Sequence, residues 1–429
     1  MTSKTIGLLS ATALLFAAPF TAAAEESDSL ADAIKSGKAG VSVRARYENV
    51  DQDGVSETAD ALTARVRLNF KTGSWRGLSA FAEYDHVFHV LDDFNSGGGT
   101  SSNRGQYPVV ADPEGSDLNQ LYVDYAASDS TKLRVGRQKI LLDNHRYVGH
   151  VGWRQNEQTY DGLSVMSTAI SNTTLQYTYV ANVRRIFGER SLGGSDKTNH
   201  HLLNAKIKLN DSWSVTPYYY LLDYNFGDIV TPLPDDPTAQ EIATRSNDLR
   251  RARNSTGTFG VRLAGSVNAG EGKIALVGEF ATQSDAGDNP VSYDADYMHA
   301  SALWSMDSGL GIGLAFESLG SDGGLLSFQT PLATLHAFQG WADKFLTTPP
   351  AGIEDLYATV KFKAGKWNLT GVYHDFTSET GSIDYGTEFD VSAGTNLGEN
   401  YGLLFKAAFF SGDTMSDTNK FWIMLTASY

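Results

Sequence analysis

The chain of 429 residues contains no cysteine, and this absence excludes several classes of protein. A disulfide-stabilised scaffold, a thiolate zinc site and a cysteine nucleophile all require thiols. Basic residues are also few, with 34 Lys and Arg against 50 Asp and Glu, so the formal net charge is -16. An acidic excess of this size argues against a general nucleic-acid-binding protein. A bundle of membrane-spanning helices is excluded as well, because the mean hydropathy is only -0.26.

The N-terminal segment has the pattern of a secretory signal peptide. A short basic start is followed by an apolar run over residues 6–20, and Ala22 and Ala24 form an A-x-A cleavage site. The alternative, an N-terminal membrane anchor, needs a longer run, since a helix requires about 20 apolar residues to cross a bilayer. We therefore predict a signal peptide over residues 1–24 and a single exported domain over residues 25–429.

After residue 24, apolar residues recur with a period of two. One predicted strand has an apolar and a polar face, formed respectively by Leu62, Ala64, Val66, Leu68 and Phe70 and by Thr63, Arg65, Arg67 and Asn69. Successive side chains of a strand point to opposite faces, so this pattern is typical of a sheet that separates two environments. About eighteen segments of this kind can be traced, with sixteen as the alternative count. Each runs about 9–12 residues, close to the length of a tilted strand that crosses a bilayer.

The connections between these segments alternate between long and short along the chain. The long ones include residues 88–117, 140–157, 225–255 and 319–352, and each is followed by a short turn. An up-and-down barrel in the outer membrane has short periplasmic turns and longer extracellular loops. Closure also gives every strand two hydrogen-bonded neighbours, which a lipid environment requires. We therefore predict an all-β fold, a closed antiparallel up-and-down transmembrane β-barrel.

The polar faces of the strands are expected to line the lumen. The basic residues that we predict to line the pore and attract anions are Arg44, Arg46, Arg65, Arg67, Arg134, Arg137, Arg154, Lys206, Lys208, Arg262, Lys361 and Lys363. In the first hairpin, the predicted register sets Arg44 opposite Arg67 and Arg46 opposite Arg65. Like charges directly opposite destabilise a sheet unless they are compensated. Two interpretations remain open: neighbouring carboxylates pair the arginines in a rigid ladder, or the basic groups attract anionic solutes into the pore.

Residues 133–164 form the most distinctive stretch of the chain, since they combine arginine, asparagine, glycine and aromatic residues between two predicted strands. One interpretation is that the loop in this stretch folds into the lumen and narrows it. The other is a surface loop with hydrogen-bonded polar side chains. The sequence favours neither.

Motifs in this stretch and near the start of the domain resemble the alginate-export family of outer-membrane barrels. They are Gly136-Arg137-Gln138, Asn144-His145-Arg146-Tyr147-Val148-Gly149, Trp153-Arg154-Gln155 with Asp161-Gly162, and the lead-in from Leu30 to Lys38 before Arg44-Ala45-Arg46-Tyr47-Glu48. The resemblance implies an eighteen-stranded monomeric barrel that exports the polyuronate alginate, or transports other polysaccharides or organic anions, through an electropositive lumen. The predicted lumen departs from that family pattern, because its basic and acidic residues are nearly balanced.

The sequence contains no HExxH, G-x-S-x-G or P-loop motif. We therefore predict a channel or porin of the Gram-negative outer membrane rather than an enzyme, without cofactor or metal. The expected solutes are hydrophilic anions such as uronates or other anionic saccharides, with alginate-type export included. The expected partners are outer-membrane lipid and lipopolysaccharide, and the barrel-assembly machinery at the C-terminal strand, which ends in the aromatic Tyr429. No nucleic-acid partner is expected. The alternative function is a non-transporting barrel, such as a structural protein or an adhesin.

Overall fold

The computed structural model describes residues 26–98, 104–234 and 236–429, so the predicted signal peptide lies outside the described residues. Within these ranges, eighteen antiparallel strands form a single sheet. The barrel strands are β1 (Lys38–Gln52), β2 (Ala59–Lys71), β3 (Leu78–Asp93), β4 (Gly115–Ser128), β5 (Thr131–Gln138), β6 (Thr159–Ser167), β7 (Thr173–Arg184), β8 (Ser195–Lys208), β9 (Trp213–Leu222), β10 (Thr256–Asn268), β11 (Gly272–Asp285), β12 (Asp294–Met306), β13 (Leu310–Leu319), β14 (Ile353–Ala364), β15 (Trp367–Thr377), β16 (Asp384–Asn396), β17 (Tyr401–Gly412) and β18 (Thr418–Ser428).

The sheet closes on itself, because β1 pairs with β18 as well as with β2. In the closing ladder, Ser42 lies opposite Ser428 and Arg46 lies opposite Met424. A closed barrel leaves no strand edge without a hydrogen-bonding partner, which is the requirement for a sheet in lipid. The predicted closed up-and-down barrel of eighteen strands is therefore confirmed.

The connections alternate in length as the sequence predicts. Turns of two to six residues, such as 129–130 and 307–309, join strands at the periplasmic end, and the longest connections lie at the other end. Three long extracellular connections are named L3 (residues 139–158), L5 (residues 223–255) and L7 (residues 320–352). The strand count and this alternation together place both termini of the barrel on the periplasmic side.

Two α-helices flank the barrel strands within the described ranges. Helix α1 (Leu30–Lys35) precedes β1, and the side chain of Ser29 caps it by accepting a hydrogen bond from the backbone N–H of Asp32. Helix α2 (Ala239–Arg253) lies in L5 and begins with a capping box between Thr238 and Glu241. Neither of these helices has the length and apolar character that a membrane-crossing helix requires.

The two faces of the barrel wall differ in polarity as the period of two predicts. On β8, the outward-facing Leu203 is 42% exposed, whereas the inward-facing Leu202 and Asn204 are buried. Trp213 and Trp367 begin β9 and β15 at the periplasmic end. Amphipathic indole rings favour this position at the level of the lipid headgroups. The apolar outer face is thus the lipid-facing surface, and the polar inner face lines the lumen.

The predicted register of the first hairpin is wrong by two residues. Arg44 lies opposite Arg65, Arg46 lies opposite Thr63, and Arg67 lies opposite Ser42. A shift of two residues keeps every side chain on the same face of the sheet, so the apolar pattern does not distinguish the two registers. The structure therefore contains one directly opposed pair of arginines, Arg44 and Arg65, whereas the predicted register contains two.

Candidate functional site

L3 lies inside the barrel, where the arginines of β1 and β2 hold its backbone. Arg44 donates from Nε to Oε1 of Gln155 at 2.9 Å and from Nη1 to the carbonyl oxygen of Gly152 at 2.8 Å. Arg65 donates to the carbonyl oxygen of Gln155 at 3.1 Å. Buried carbonyl groups need donors, and these guanidinium groups supply them. The loop therefore folds into the lumen and narrows it, and it is not a surface loop.

Carboxylates pair the remaining arginines of this wall. Arg67 binds Asp85 through two parallel hydrogen bonds of 2.7 and 2.6 Å, and its Nη2 lies 2.9 Å from Oε2 of Glu157 in L3. Lys139 also contacts Glu157, at 2.5 Å. Burial would raise the pKa of Glu157, but the positive charges of Arg67 and Lys139 outweigh burial and hold this pKa well below its ordinary value.

The same arrangement continues around Arg46 and Arg154. Arg46 is buried and hydrogen-bonds Asp112 and the carbonyl oxygen of Trp153. Arg154 in L3 lies 2.9 Å from Oε2 of Glu48. The wall from β1 to β3 is therefore a salt-bridge ladder that anchors L3, as in the first of the two interpretations derived from the sequence.

Two other arginines predicted to line the lumen are also paired with carboxylates, and a third points outward from the barrel. Arg134 binds Asp124 at 2.6 Å, and Arg262 is paired with Glu279. Arg137 is on the opposite face of β5 from Arg134, since it lies opposite the outward-facing Leu121 in the β4–β5 ladder and 2.7 Å from Asp161. The prediction that Arg137 lines the pore is therefore corrected: it belongs to the outer surface near the extracellular rim.

L7 enters the lumen from the opposite wall and joins L3 there. The backbone N–H of Gly149 donates to the carbonyl oxygen of Leu332 at 2.8 Å, and that of Thr334 donates to the carbonyl oxygen of His145 at 3.0 Å. Arg154 lies 3.0 Å from Asp343 of L7. The two loops are thus hydrogen-bonded to each other as one unit inside the barrel.

L7 is in turn attached to the wall from β13 to β18. The backbone N–H of Ala342 donates to Oε1 of Glu388 at 2.7 Å, and Gln339 donates to Oε2 of Glu317 at 2.6 Å. Asp343 also pairs with Lys420 of β18 at 2.9 Å. Inward-facing residues of the extracellular half therefore form a packed core with L3 and L7.

An aromatic junction lies where the two loops meet. Trp153 of L3 stacks on His336 of L7, and Trp422 of β18 contacts both rings edge-on. Nζ of Lys406 lies 3.6 Å from the ring centroid of Trp341 and 4.5 Å from that of Trp153. No local pattern in the sequence indicates this cluster, because its members come from L3, L7, β17 and β18.

The periplasmic half of the lumen is different, since its inward-facing side chains are accessible. Lys206 and Lys208 of β8, Lys361 and Lys363 of β14, and Lys273 of β11 point into it. Lys208 pairs with Asp211 at 2.9 Å. Within the described ranges, no ion pair or hydrogen bond engages the other four ammonium groups, which we call the vestibule lysines (Lys206, Lys273, Lys361 and Lys363).

In the part of the chain that the structure describes, no three His, Asp or Glu side chains are grouped so that they could hold a metal ion. Most of the buried carboxylates instead pair with arginine or lysine, and Glu388 accepts hydrogen bonds from backbone N–H groups of L7. The site is thus a lumen with a charged constriction and a basic periplasmic vestibule.

A closed eighteen-stranded barrel with lipid-facing walls, long extracellular loops and a loop-lined constriction defines the chain as a porin-type barrel of the Gram-negative outer membrane. The family model described as "Alginate export" matches residues 37–302, more than half of the chain. The chain belongs to the alginate-export family. No curated protein matches it.

Solved structures support the same fold. The chain is similar to OccK9 (OpdG) of Pseudomonas aeruginosa, with a TM-score of 0.69 and 13% identity over 92% of this chain and 99% of that one. It is also similar to OpdK of the same organism, with a TM-score of 0.68 and 11% identity over 92% and 99% of the two chains. The family and these outer-membrane proteins are transport barrels rather than enzymes.

Proposed function

We propose that this barrel is a channel for small hydrophilic anions, such as uronates or other anionic saccharides. The observation that carries the proposal is the set of vestibule lysines, which have no carboxylate partners within the described ranges. Unpaired cations in a vestibule with low-dielectric walls raise the local concentration of anions. The arginines of the constriction contribute less to this attraction, because carboxylates neutralise most of them.

The size of the solute follows from the loops. L3 and L7 occupy the extracellular half of the lumen. The passage of a small solute past them requires only a limited movement of their side chains. Export of an alginate-type polysaccharide would require both loops to leave the lumen. A small carboxylate is therefore the favoured solute, and the similar barrel OpdK has been solved with vanillate, which is a carboxylate.

Ion selectivity in planar lipid bilayers tests the proposal. Lys206, Lys361 and Lys363 would be replaced together by glutamine, and the reversal potential measured across a KCl gradient. We expect wild-type protein to prefer chloride, and the triple variant to lose at least about half of that preference. The matched control replaces Lys35, Lys197 and Arg253 by glutamine, which removes the same charge from exposed positions outside the lumen. Unchanged selectivity in the lumen variant would contradict the proposal.

The second candidate is a non-transporting barrel, and the packed extracellular half of the lumen favours it. The same bilayer experiment separates the two functions. Absence of conductance in the wild type, and in a variant that lacks the tip of L7, would support the non-transporting barrel.

A further inference from the structure

The lipid-facing wall of the barrel contains a depression of about 630 Å³ across β14 to β18. Large side chains surround it and small residues lie between them: Phe362, Phe389 and Phe405 with Gly371, Ala393 and Ala407. These positions alternate with inward-facing residues such as Lys361 and Asp390, so they point away from the lumen. The depression is within the volume range of ligand pockets, about 300–1,000 Å³.

Gly371 is one of the small residues that line this groove. A Cβ atom added there meets only one atom within 4 Å, the carbonyl oxygen of Asp390 at 3.9 Å. The backbone of Gly371 does not lie in the left-handed region, so the strand geometry does not require glycine. The absence of a side chain at Gly371 therefore leaves unfilled space on the lipid-facing surface of the barrel.

The groove lies in the periplasmic leaflet. β15 begins at Trp367 at the periplasmic end, and Gly371 follows four residues later, at most about 13 Å along the strand. The ring of Trp367 lies 6.2 Å from that of Phe405 at the rim. Lys366 is exposed in the turn before Trp367, and no ion pair of its ammonium group occurs among the described residues.

We propose that this groove binds one acyl chain of a periplasmic-leaflet phospholipid, whose phosphate contacts Lys366. A flexible chain fills an irregular apolar depression and restores the dispersion contacts that an empty one loses. The ammonium group of Lys366 supplies a complementary charge at the level of the headgroups. This inference does not depend on which solute the lumen conducts.

A second copy of the barrel fits the groove less well. A symmetric pair places the same patch of both subunits face to face, so each groove would meet a groove rather than a complementary ridge. Small residues at the floor would remain without contacts in such a pair. The concave shape therefore favours a lipid.

Native mass spectrometry of detergent-purified, full-length mature barrel titrated with palmitoyl-oleoyl phosphatidylglycerol tests the proposal. Gly371→Phe fills the groove, and loss of contact with about two methylene groups is expected to weaken binding of the first lipid by about tenfold. Gly278→Phe is the matched control, because Gly278 also faces lipid in a strand, and a Cβ there meets no atom within 4 Å. Lys366→Gln is expected to weaken binding by a smaller factor.

Equal lipid binding by Gly371→Phe and wild type would overturn the proposal, and so would equal losses in both glycine variants. A wild-type dimer that disappears in Gly371→Phe would assign the groove to a second copy instead. Heat-modifiable mobility in gels verifies that each variant is folded. The single-channel conductance of Gly371→Phe is expected to equal that of the wild type. The lipid-binding result is then independent of the test of channel function.

Discussion

The indole of Trp153 and the imidazole of His336 stack with ring centroids 4.5 Å apart and planes inclined by 8°. Trp153 belongs to L3 and His336 to L7, so this stack joins the two loops inside the lumen. Lys406 adds to it, since its Nζ lies 2.7 Å from Nε2 of His336. The strength of this junction is therefore expected to govern how often the lumen opens.

Replacing Trp153 by leucine should loosen the junction. The substitution removes the stack on His336 and the edge contact with Trp422, and such aromatic pairs contribute about 0.5–1.5 kcal/mol beyond their buried area. We expect the open probability of single channels to rise by about twofold to tenfold, with more frequent transitions between conductance levels. Single-channel recording at constant voltage measures both quantities.

Trp304→Leu provides the control, because Trp304 faces lipid at the periplasmic end of β12 and is 37% exposed. Its loss should leave the gating pattern unchanged. A Trp153→Leu channel that opens no more often than this control would show that the aromatic junction does not hold the loops.

The salt-bridge ladder makes a prediction about stability. Arg67 neutralises Asp85 and Glu157, and all three side chains are buried. Arg67→Met would remove the cationic partner of Asp85 and leave Glu157 mainly to Lys139, and breaking a buried pair in this way costs about 3–5 kcal/mol. Urea unfolding of the refolded barrel measures the loss, and Arg67→Lys should retain part of the stability because it keeps the charge.

Lys206→Met is the comparison for this experiment, since Lys206 is exposed in the vestibule and belongs to no ion pair of the described chain. We expect its midpoint of unfolding to remain close to that of the wild type. Similar midpoints for Arg67→Met and Lys206→Met would contradict the structural role assigned to the ladder.

Strand periodicity predicts the barrel because lipid and water act on alternate side chains of every strand. That signal does not fix the register between strands, as Arg44 and Arg65 show, because a shift of two residues preserves both faces. The period of two does place residues 134 and 137 on opposite faces of β5. Since Arg134 faces the lumen, strict alternation along β5 predicts that Arg137 points outward, as the structure shows.

The interior of the barrel was much less predictable. The family resemblance drew attention to L3, yet the sequence left its position inside or outside the lumen open. His336, Lys406 and Trp422 carry no local signal, since their roles depend on contacts between residues about 70 or more positions apart. Loop position depends on these long-range contacts rather than on a repeated pattern.

The aromatic junction should also be sensitive to pH. His336 lies in L7, outside the barrel strands, and burial lowers its pKa to about 3. In a released loop the pKa of histidine is about 6.5. Between these two values the released loop binds a proton that the docked loop does not bind, so docking is fully stable above pH 6.5 and weakens as the pH falls towards 3.

Two further groups in the loops act in the same direction, Asp343 at lower pH and His150 in the same range as His336. Burial raises the pKa of Asp343, but His336, Lys420 and Arg154 hold it well below its ordinary value. Its stabilising charge is therefore lost only under strongly acidic conditions. Burial also lowers the pKa of His150 in L3, to about 4, so this residue contributes within the same range as His336.

Channel recordings between pH 7.5 and pH 4.5 separate these contributions. The open probability of the wild type should rise on acidification by about tenfold or more, because each pH unit below 6.5 changes the balance by up to about 1.4 kcal/mol. His336→Gln removes the titrating group, so its channels should show a clearly flatter profile. His86→Gln, at an exposed position away from both loops, should keep the wild-type profile. If His336→Gln and the wild type respond equally to acid, protonation of His336 does not release L7, and His150 becomes the residue to replace next.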